Sequence, residues 1–129
     1  MQEPGQDVDA VAHAVIGAAI EVHRELGPGF LESIYGEALA VELALRKIPF
    51  LRQPTIGVRY KGVAVGEGRP DLIVGGLLIV ELKAVEAVHP IHRAQVISYL
   101  KASGLTLGLL LNFKVSMLKD GIERIILSR

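Results

Sequence analysis

The chain of 129 residues carries 14 Lys and Arg against 14 Asp and Glu, half of its residues are hydrophobic, and it contains no cysteine. This length predicts one domain with a substantial core, and the missing cysteine excludes disulfides, zinc-thiolate sites and thiol catalysis. Because the sequence has neither a signal-peptide pattern nor an apolar run of about 18 residues, we expect a soluble, cytoplasmic protein without a membrane partner. The zero net charge provides no overall positive field for nucleic acid.

Two helices are predicted in the first part of the chain. Apolar residues recur at helical spacing over residues 7–26, and the Gly-Pro-Gly sequence at 27–29 is a strong stop. A second helix is predicted from about residue 30 or 31 to residue 47. Its apolar side carries Ile34, Ala38, Val41 and Leu45. We expect residues 1–7 to form a flexible tail and residues 8–129 to form the domain.

The remainder of the chain combines short strands with one helix. The predicted strands cover residues 50–52, 56–60, 63–65, 71–74, 77–85, 105–113 and 122–127. Lys61-Gly62 is a predicted hairpin turn, and a third helix is predicted from Pro90 to Ser103. This helix can form a right-handed crossover that makes the strands on either side of it parallel. The sequence therefore predicts an α/β fold in which helices flank a mixed β-sheet.

Three charged residues interrupt the central predicted hairpin. Asp71 opens its first strand, and Glu81 and Lys83 follow four apolar residues in the second. Buried charges cost several kcal/mol unless they are paired or bind a metal ion. Glu81 and Lys83 share a face because they are two residues apart.

The hairpin loop decides whether Asp71 joins that face. A two-residue loop at 75–76 would pair Asp71 with Val80 and turn it to the opposite side. A three-residue loop at 74–76 would pair it with Ile79 and place it beside the glutamate. A shared site therefore requires an odd loop or a bulge.

Convergent carboxylates favour a hard divalent cation, with Mg²⁺ or Mn²⁺ preferred for oxygen ligands. Lys83 beside them could contact a phosphate oxygen or an attacking hydroxide. The plain structural alternative is a solvated Glu81–Lys83 pair at a strand end, or a bridge from these residues to a helix.

Two helical pairs could extend this site. Gln95 and Tyr99 are four residues apart and share a face of the third helix, and Glu32 and Tyr35 share a face at the start of the second. The plain alternatives are a half-buried helix flank for Gln95 and Tyr99 and favourable helix-terminal charge for Glu32.

The segment Gly29-Phe30-Leu31-Glu32-Ser33-Ile34-Tyr35 resembles the signature of the GxxExxY protein family, which is similar to the PD-(D/E)XK nuclease superfamily. In this comparison Pro70-Asp71 matches the PD element and Glu81-Leu82-Lys83 matches the (D/E)XK element. Gln95 and Tyr99 match an additional helix motif of some branches. The resemblance implies a restriction-endonuclease-like core.

The resemblance also implies a nuclease that depends on Mg²⁺ (or Mn²⁺) and hydrolyses phosphodiester bonds in nucleic acid, with DNA as the expected substrate. The implied metal ligands are Asp71, Glu81, the main-chain carbonyl of Leu82 and, directly or through water, Glu32. The implied catalytic residues are Glu32, Asp71, Glu81 and Lys83, and the implied substrate-orienting residues are Tyr35, Gln95 and Tyr99. Lys83 would position the nucleophilic water and offset negative charge in the transition state.

A second interpretation is a nucleic-acid-binding or protein-interaction module that kept the scaffold without useful turnover, because fold and function separate easily. A basic strip of Arg24, Arg69, Arg93 and Lys101 beside the carboxylates would favour the nuclease, and a flat apolar patch would favour the module. A homodimer would suit a nuclease that cuts two strands, although the sequence shows no dimerisation signature.

Overall fold

Three helices and seven strands are found in the computed structural model, which describes residues 5–128 apart from the side chain of Gln6. The helices are α1 (Gln6–Leu26), α2 (Glu32–Leu45) and α3 (Pro90–Ser103). The strands are β1 (Phe50–Arg52), β2 (Ile56–Tyr60), β3 (Val63–Gly68), β4 (Leu72–Val74), β5 (Leu78–Lys83), β6 (Leu107–Asn112) and β7 (Ile122–Ile126). A short 3-10 helix, Leu118–Gly121, precedes β7.

Five of these strands form one sheet in the order β1-β4-β5-β6-β7. Within it β5 and β6 are parallel, and every other neighbouring pair is antiparallel. The parallel pair is the one that α3 connects, as expected for a crossover helix. The predicted α/β fold with a mixed, helix-flanked sheet is thus confirmed.

Strands β2 and β3 form a separate hairpin with its turn at Lys61 and Gly62. Both turn residues have positive φ, 49° and 83° respectively, as the tightest two-residue hairpin turns require. The predicted turn is therefore confirmed.

The helices cover the two faces of the sheet, and alternation along β5 decides which side chain meets which layer. Leu78, Val80 and Leu82 belong to the core that includes α1 and α2, whereas Ile79 packs in the core that includes α3. Glu81 and Lys83 follow Ile79 in steps of two, so they lie on the α3 face.

Several element boundaries differ from the predicted ones; α2, for example, ends at Leu45 rather than at Lys47, and β3 runs to Gly68 rather than to Val65. Helix α1 begins at Gln6, inside the predicted tail, whose residues 1–4 lie outside the described part of the chain. Strand β6 starts at Leu107 rather than at residue 105. Strand β5 ends at Lys83 rather than at Val85, because the Asn112 side chain binds both the N–H (3.0 Å) and the carbonyl (2.9 Å) of Val85 in place of a neighbouring strand.

None of the helices between residues 5 and 128 combines the length and the hydrophobicity that a membrane span requires.

Candidate active site

The loop between β4 and β5 places Asp71 beside Glu81. The ladder pairs Leu72 with Val80 and Val74 with Leu78, so the loop consists of the three residues 75–77. Gly75 and Gly76 have φ of 61° and 69°, which favours glycine at both positions. Continued by one residue, this register sets Asp71 opposite Glu81. The odd loop that a shared site requires is present, but the predicted pairing with Ile79 is wrong because the loop begins one residue later.

The carboxylates of Asp71 and Glu81 are each held by a backbone N–H of the neighbouring chain segment. The N–H of Asp71 donates to Oε1 of Glu81 (2.7 Å), and the N–H of Leu82 donates to Oδ2 of Asp71 (2.7 Å). The second oxygen of each carboxylate, Oδ1 of Asp71 and Oε2 of Glu81, has no hydrogen-bond partner among residues 5–128. Each carboxylate is therefore fixed in place and keeps one oxygen for another ligand.

Pro70 explains why the hydrogen-bond ladder between β4 and β5 ends beside Asp71. It is buried, and the continued β4–β5 register sets it opposite Leu82. Because proline has no N–H, it cannot donate to the Leu82 carbonyl from this position. The Leu82 N–H instead bonds to the Asp71 side chain. The Pro-Asp sequence thus ends the ladder and replaces a strand hydrogen bond with a carboxylate.

The environment of the pair opposes its ionisation. Glu81 is only 4% exposed, and its burial together with the Asp71 charge raises its pKa to about 7, against the opposing effects of the Asp71 N–H and Lys83. Burial also raises the pKa of Asp71, against the Leu82 N–H, Lys83 and Arg52. A divalent cation would remove this penalty by neutralising both groups.

Lys83 interacts electrostatically with Asp71, Glu81 and Glu32 but forms no ion pair with any of them. Its charge lowers the pKa of Asp71, Glu81 and Glu32. No carboxylate oxygen of residues 5–128 lies within 4.0 Å of its ammonium nitrogen. The alternative of a Glu81–Lys83 ion pair is therefore not what the structure forms.

Glu32 reaches the same region from the α2 layer. It is the first residue of α2 and lines a cleft of about 260 Å³ together with Asp71, Leu82 and Arg52. Partial burial raises the pKa of Glu32, Lys83 lowers it and Asp71 raises it. Its side chain is largely exposed, so it stands at the rim of the cluster.

The donor set suits a hard cation that keeps part of its water shell. Among the described residues no three His, Asp or Glu side chains stand close enough to enclose a metal ion by themselves. The arrangement instead offers two carboxylates, Asp71 and Glu81, with the Leu82 main chain between them and Glu32 farther out. Mg²⁺ is commonly held by one or two carboxylates and several waters, so the residues present fit this ion.

Tyr99 brings α3 to the cluster. Its hydroxyl donates to the Arg69 carbonyl (3.4 Å) and accepts a hydrogen bond from Nε2 of Gln95 (3.2 Å). Its pKa is raised by burial and then by the charges of Glu81 and Asp71. The Tyr99 hydroxyl therefore lies within electrostatic reach of both carboxylates, and Gln95 is joined to this hydroxyl.

Gly68 is a site residue that sequence reasoning missed. A Cβ at Gly68 would lie 2.7 Å from Cε1 of Tyr99, too close for any side chain. The absence of a side chain therefore allows the Tyr99 ring to lie against β3. Its only sequence signal is that it is the second glycine, after Gly66, in the segment that follows the predicted strand 63–65.

Tyr35 is placed in the core and not at the cluster. Its ring is fully buried and stacks on Phe113 with 4.5 Å between ring centroids. Its hydroxyl donates to the Gly27 carbonyl and accepts from the Phe30 N–H (3.1 Å). Both contacts hold the loop that precedes α2. The geometry therefore offers no support for the prediction that Tyr35 orients substrate, and gives it an indirect role in setting where Glu32 begins the helix.

We expect Tyr35→Phe to lower the free energy of unfolding by about 1–3 kcal/mol, because the Gly27 carbonyl and the Phe30 N–H would lose their partner in a buried setting. Urea unfolding measures this change. The exposed Tyr60 provides the matched control, and Tyr60→Phe should stay within about 0.5 kcal/mol of the wild type. An equal effect of both changes would contradict the structural role of the Tyr35 hydroxyl.

Two of the four residues in the predicted basic strip are already paired with acidic side chains. Arg24 is paired with Glu21, and Arg93 with Glu123. Lys101 lines a cleft of about 330 Å³ beside Tyr99. Arg69 lies next to the site through its carbonyl contact with Tyr99.

Arg52 on β1 is a cation at the site that the sequence did not reveal. It pairs with Leu72 in the sheet, and this register brings its guanidinium into the cleft of Asp71 and Glu32. Its Nη1 lies 2.7 Å from Oε2 of Glu37.

These features define an α/β domain with an acidic site at the open end of its central hairpin. The sequence model of the PD-(D/E)XK nuclease superfamily matches residues 9–125. The chain therefore belongs to the PD-(D/E)XK nuclease superfamily, and the finer resemblance to the GxxExxY family stays a prediction. No curated protein and no solved structure showed significant similarity to the chain.

Proposed function

We propose that this protein is a metal-dependent nuclease that hydrolyses phosphodiester bonds in DNA. The observation that carries the proposal is the Asp71–Glu81 pair, two carboxylates held side by side with no ion-pair partner among the described residues. A buried pair of this kind is costly unless a cation joins it. Membership of a nuclease superfamily supports the same reaction class.

Asp71, Glu81 and the Leu82 carbonyl would hold Mg²⁺ or Mn²⁺, and Glu32 would contact it through water. When bound, the ion supplies an activated water and neutralises charge on the phosphate. The hydrogen bonds from the N–H of Asp71 to Glu81 and from the N–H of Leu82 to Asp71 keep the carboxylate oxygens in one position, so little reorganisation is needed on binding.

Lys83 would act on the reacting groups directly. Its ammonium group has no ion-pair partner among residues 5–128, so its donors are free to hold the nucleophilic water and to offset charge on the phosphate. Tyr99 and Gln95 would orient the substrate from the α3 side, because their side chains are already joined to each other and to the Arg69 backbone.

The test is cleavage of duplex, single-stranded and branched DNA, with RNA in parallel, by the purified full chain in Mg²⁺, Mn²⁺ or EDTA. We expect cleavage of DNA with either metal and none in EDTA. Calorimetry with Mn²⁺ alone should show binding at millimolar metal. Absence of Mn²⁺ binding would remove the metal site, and binding without cleavage of any substrate would overturn the nuclease assignment.

The second candidate is the interaction module without turnover. The observation that favours it is the exposure of four large apolar side chains on and beside α2, namely Leu31, Ile34, Val41 and Leu45. Metal binding without cleavage, together with retained DNA or protein binding, is the result that this candidate predicts.

We further expect Arg52 to contact a substrate phosphate. Its ion pair with the exposed Glu37 is worth at most about 1 kcal/mol, so a phosphate can replace the glutamate. Arg52→Gln should raise KM about 5–20-fold and lower the salt dependence of DNA binding by about one phosphate contact. Fluorescence anisotropy over a range of salt concentrations measures the second effect.

Arg46 provides the matched control for Arg52. It is paired with Glu42 of the same helix, but it does not line the carboxylate cleft. Arg46→Gln should leave KM and the salt dependence unchanged. If both arginine variants behave alike, Arg52 contributes general surface charge and not a specific contact.

A further inference from the structure

A cleft of about 330 Å³, here called the α3 cleft, lies between the β2–β3 hairpin and α3. The hairpin packs on the domain through Ile56, which belongs to the core that includes α3. The α3 cleft is lined on its apolar side by Val58 of β2, by Ala102 of α3 and by Tyr99, whose ring lies against Gly68. Its volume is at the lower end of the range for small-molecule sites.

Tyr99 joins the α3 cleft to the acidic site. The residue lines the cleft, while its hydroxyl contacts the carbonyl of Arg69 (3.4 Å), which lies two residues before Asp71. The charges of Glu81 and Asp71 both contribute to raising the pKa of this hydroxyl. A molecule in the α3 cleft would therefore lie next to a molecule held at the carboxylates.

The charged residues of the α3 cleft, Arg59 and Lys101, are both basic and both exposed. Neither forms an ion pair with another residue between 5 and 128. Arg59 uses Nη1 to donate to the Gly62 carbonyl (3.1 Å), which leaves other donors of its guanidinium available. The α3 cleft thus combines an apolar wall with two positive charges, which match the base and the phosphate of a nucleotide.

Basic side chains without an ion pair are concentrated around this cleft. Elsewhere in the described part of the chain most basic residues pair with acidic ones, namely Arg24, Arg46, Arg93, Lys114 and Arg124. No ion pair within residues 5–128 involves Lys61 at the hairpin turn, or Arg69 and Lys83 near the carboxylates. Unpaired cations that lead from the hairpin to the acidic site attract a polyanion, although the net charge of the chain is zero.

We propose that the α3 cleft holds one nucleotide of a single DNA strand, beside the nucleotide whose phosphate lies at the carboxylates. The base would pack on Val58, Ala102 and the Tyr99 ring, and Arg59 and Lys101 would contact the phosphate. The inference rests on the proposed nuclease function for the position of the cut, whereas binding in the cleft requires neither metal nor cleavage.

The apolar wall of the α3 cleft selects the form of the DNA. A base can reach such a wall only when it is released from its pairing partner and from its neighbours in the stack. A continuous duplex keeps its bases stacked and presents mainly phosphates to the protein. The α3 cleft therefore favours DNA that is single-stranded beside the cut, such as a frayed end, a gap or a flap.

Fluorescence anisotropy of the full chain in EDTA at low salt tests this preference without cleavage. The probes are a labelled oligodeoxythymidylate of about 12 nucleotides and a labelled duplex of the same length. We expect the single strand to bind about tenfold more tightly, although the duplex has the higher charge density and would bind better if phosphate contacts alone decided. Arg59→Gln and Lys101→Gln should each weaken binding of the single strand about 5- to 20-fold, with unchanged circular dichroism.

Lys119→Gln is the matched control for both variants. Lys119 is also exposed and forms no ion pair in the described part of the chain, but it lines a different cleft together with Ile20 and His23. This variant should bind the single strand like the wild type. Duplex binding as tight as single-strand binding, or cleft variants that bind like Lys119→Gln, would overturn the proposal.

A strand of the same length without bases separates the base from the backbone. It keeps every phosphate, so we expect it to bind about tenfold more weakly than oligodeoxythymidylate because it has no base for the apolar wall. Equal binding of the two strands would show that the α3 cleft holds phosphate alone and would overturn the proposal. Cleft-dependent binding of the single strand without cleavage in Mg²⁺ or Mn²⁺ would remove the nuclease function and keep the cleft. Metal-dependent cleavage that both cleft variants leave unchanged would do the reverse.

Discussion

Replacing Lys83 by alanine is expected to lower the rate of DNA cleavage roughly 100- to 1,000-fold, the usual cost of losing a group that stabilises transition-state charge. The fold should tolerate the change, because Lys83 has no ion pair to lose among the described residues. Metal binding should persist or tighten, since the ammonium charge competes with a cation for the same carboxylates. Single-turnover cleavage measures the rate, and Mn²⁺ calorimetry measures binding.

Lys114→Ala serves as the control for Lys83→Ala, because Lys114 is paired with Glu86 away from the carboxylate cluster. Its cleavage rate should equal that of the wild type. Lys83→Arg should recover part of the activity, since it restores the positive charge. Equal cleavage by the wild type and the Lys83→Ala variant would show that the activity comes from a contaminant or from another site.

The charged hairpin could be recognised from sequence because alternation along a strand is a strict rule. Glu81 and Lys83 had to share a face, and an odd loop had to bring Asp71 to them. The exact register could not be predicted, because Val74 and Leu77 are both apolar residues beside the glycine pair and either could belong to the loop. The structure resolves this by placing Leu77 in the loop.

Helix α2 shows where periodicity gives an ambiguous answer. Its row of Ile34, Ala38, Val41 and Leu45, in which only Ala38 packs against the core, is as regular as its buried row of Tyr35, Leu39 and Leu43. A helix that is hydrophobic all round provides no local signal for the side that packs on the core. The sequence therefore placed Tyr35 with Glu32 on a site face, whereas stacking on Phe113 draws the tyrosine inward.

Arg52 could not be predicted because its role depends on strand order. Strand β1 pairs with β4, and two intervening strands form their own hairpin. No sequence pattern links residue 52 to residue 71, and a single arginine at the end of a short strand is unremarkable in composition. Its position at the cleft follows only from this long-range pairing.

The second large effect concerns the stability of the metal-free protein and its dependence on pH. Glu81 has a pKa of about 7 in the folded protein, against 4.5 for an unperturbed glutamate. Below pH 4.5 the carboxyl is protonated in both states and carries no penalty. As the pH rises toward 7 the unfolded state ionises first, so stability falls, and above pH 7 the folded state bears the full cost of the buried charge. Glu81→Gln, which cannot ionise, should therefore be about 2–3 kcal/mol more stable than the wild type at pH 8 in EDTA, and equal to it near pH 4.

Magnesium should reduce this difference. Binding to the folded state alone stabilises the wild type by about 1.4 kcal/mol when the metal is tenfold above its dissociation constant, whereas Glu81→Gln lacks a ligand charge and should gain little. Urea unfolding at pH 4.5, 6 and 8, with EDTA or with Mg²⁺, measures both effects. Glu67→Gln on the exposed β3 strand should follow the wild-type curve throughout. If Glu81→Gln matched the wild type at pH 8 in EDTA, the Glu81 charge would already be compensated within the chain, and the main physical reason for a metal ion at Asp71 and Glu81 would be lost.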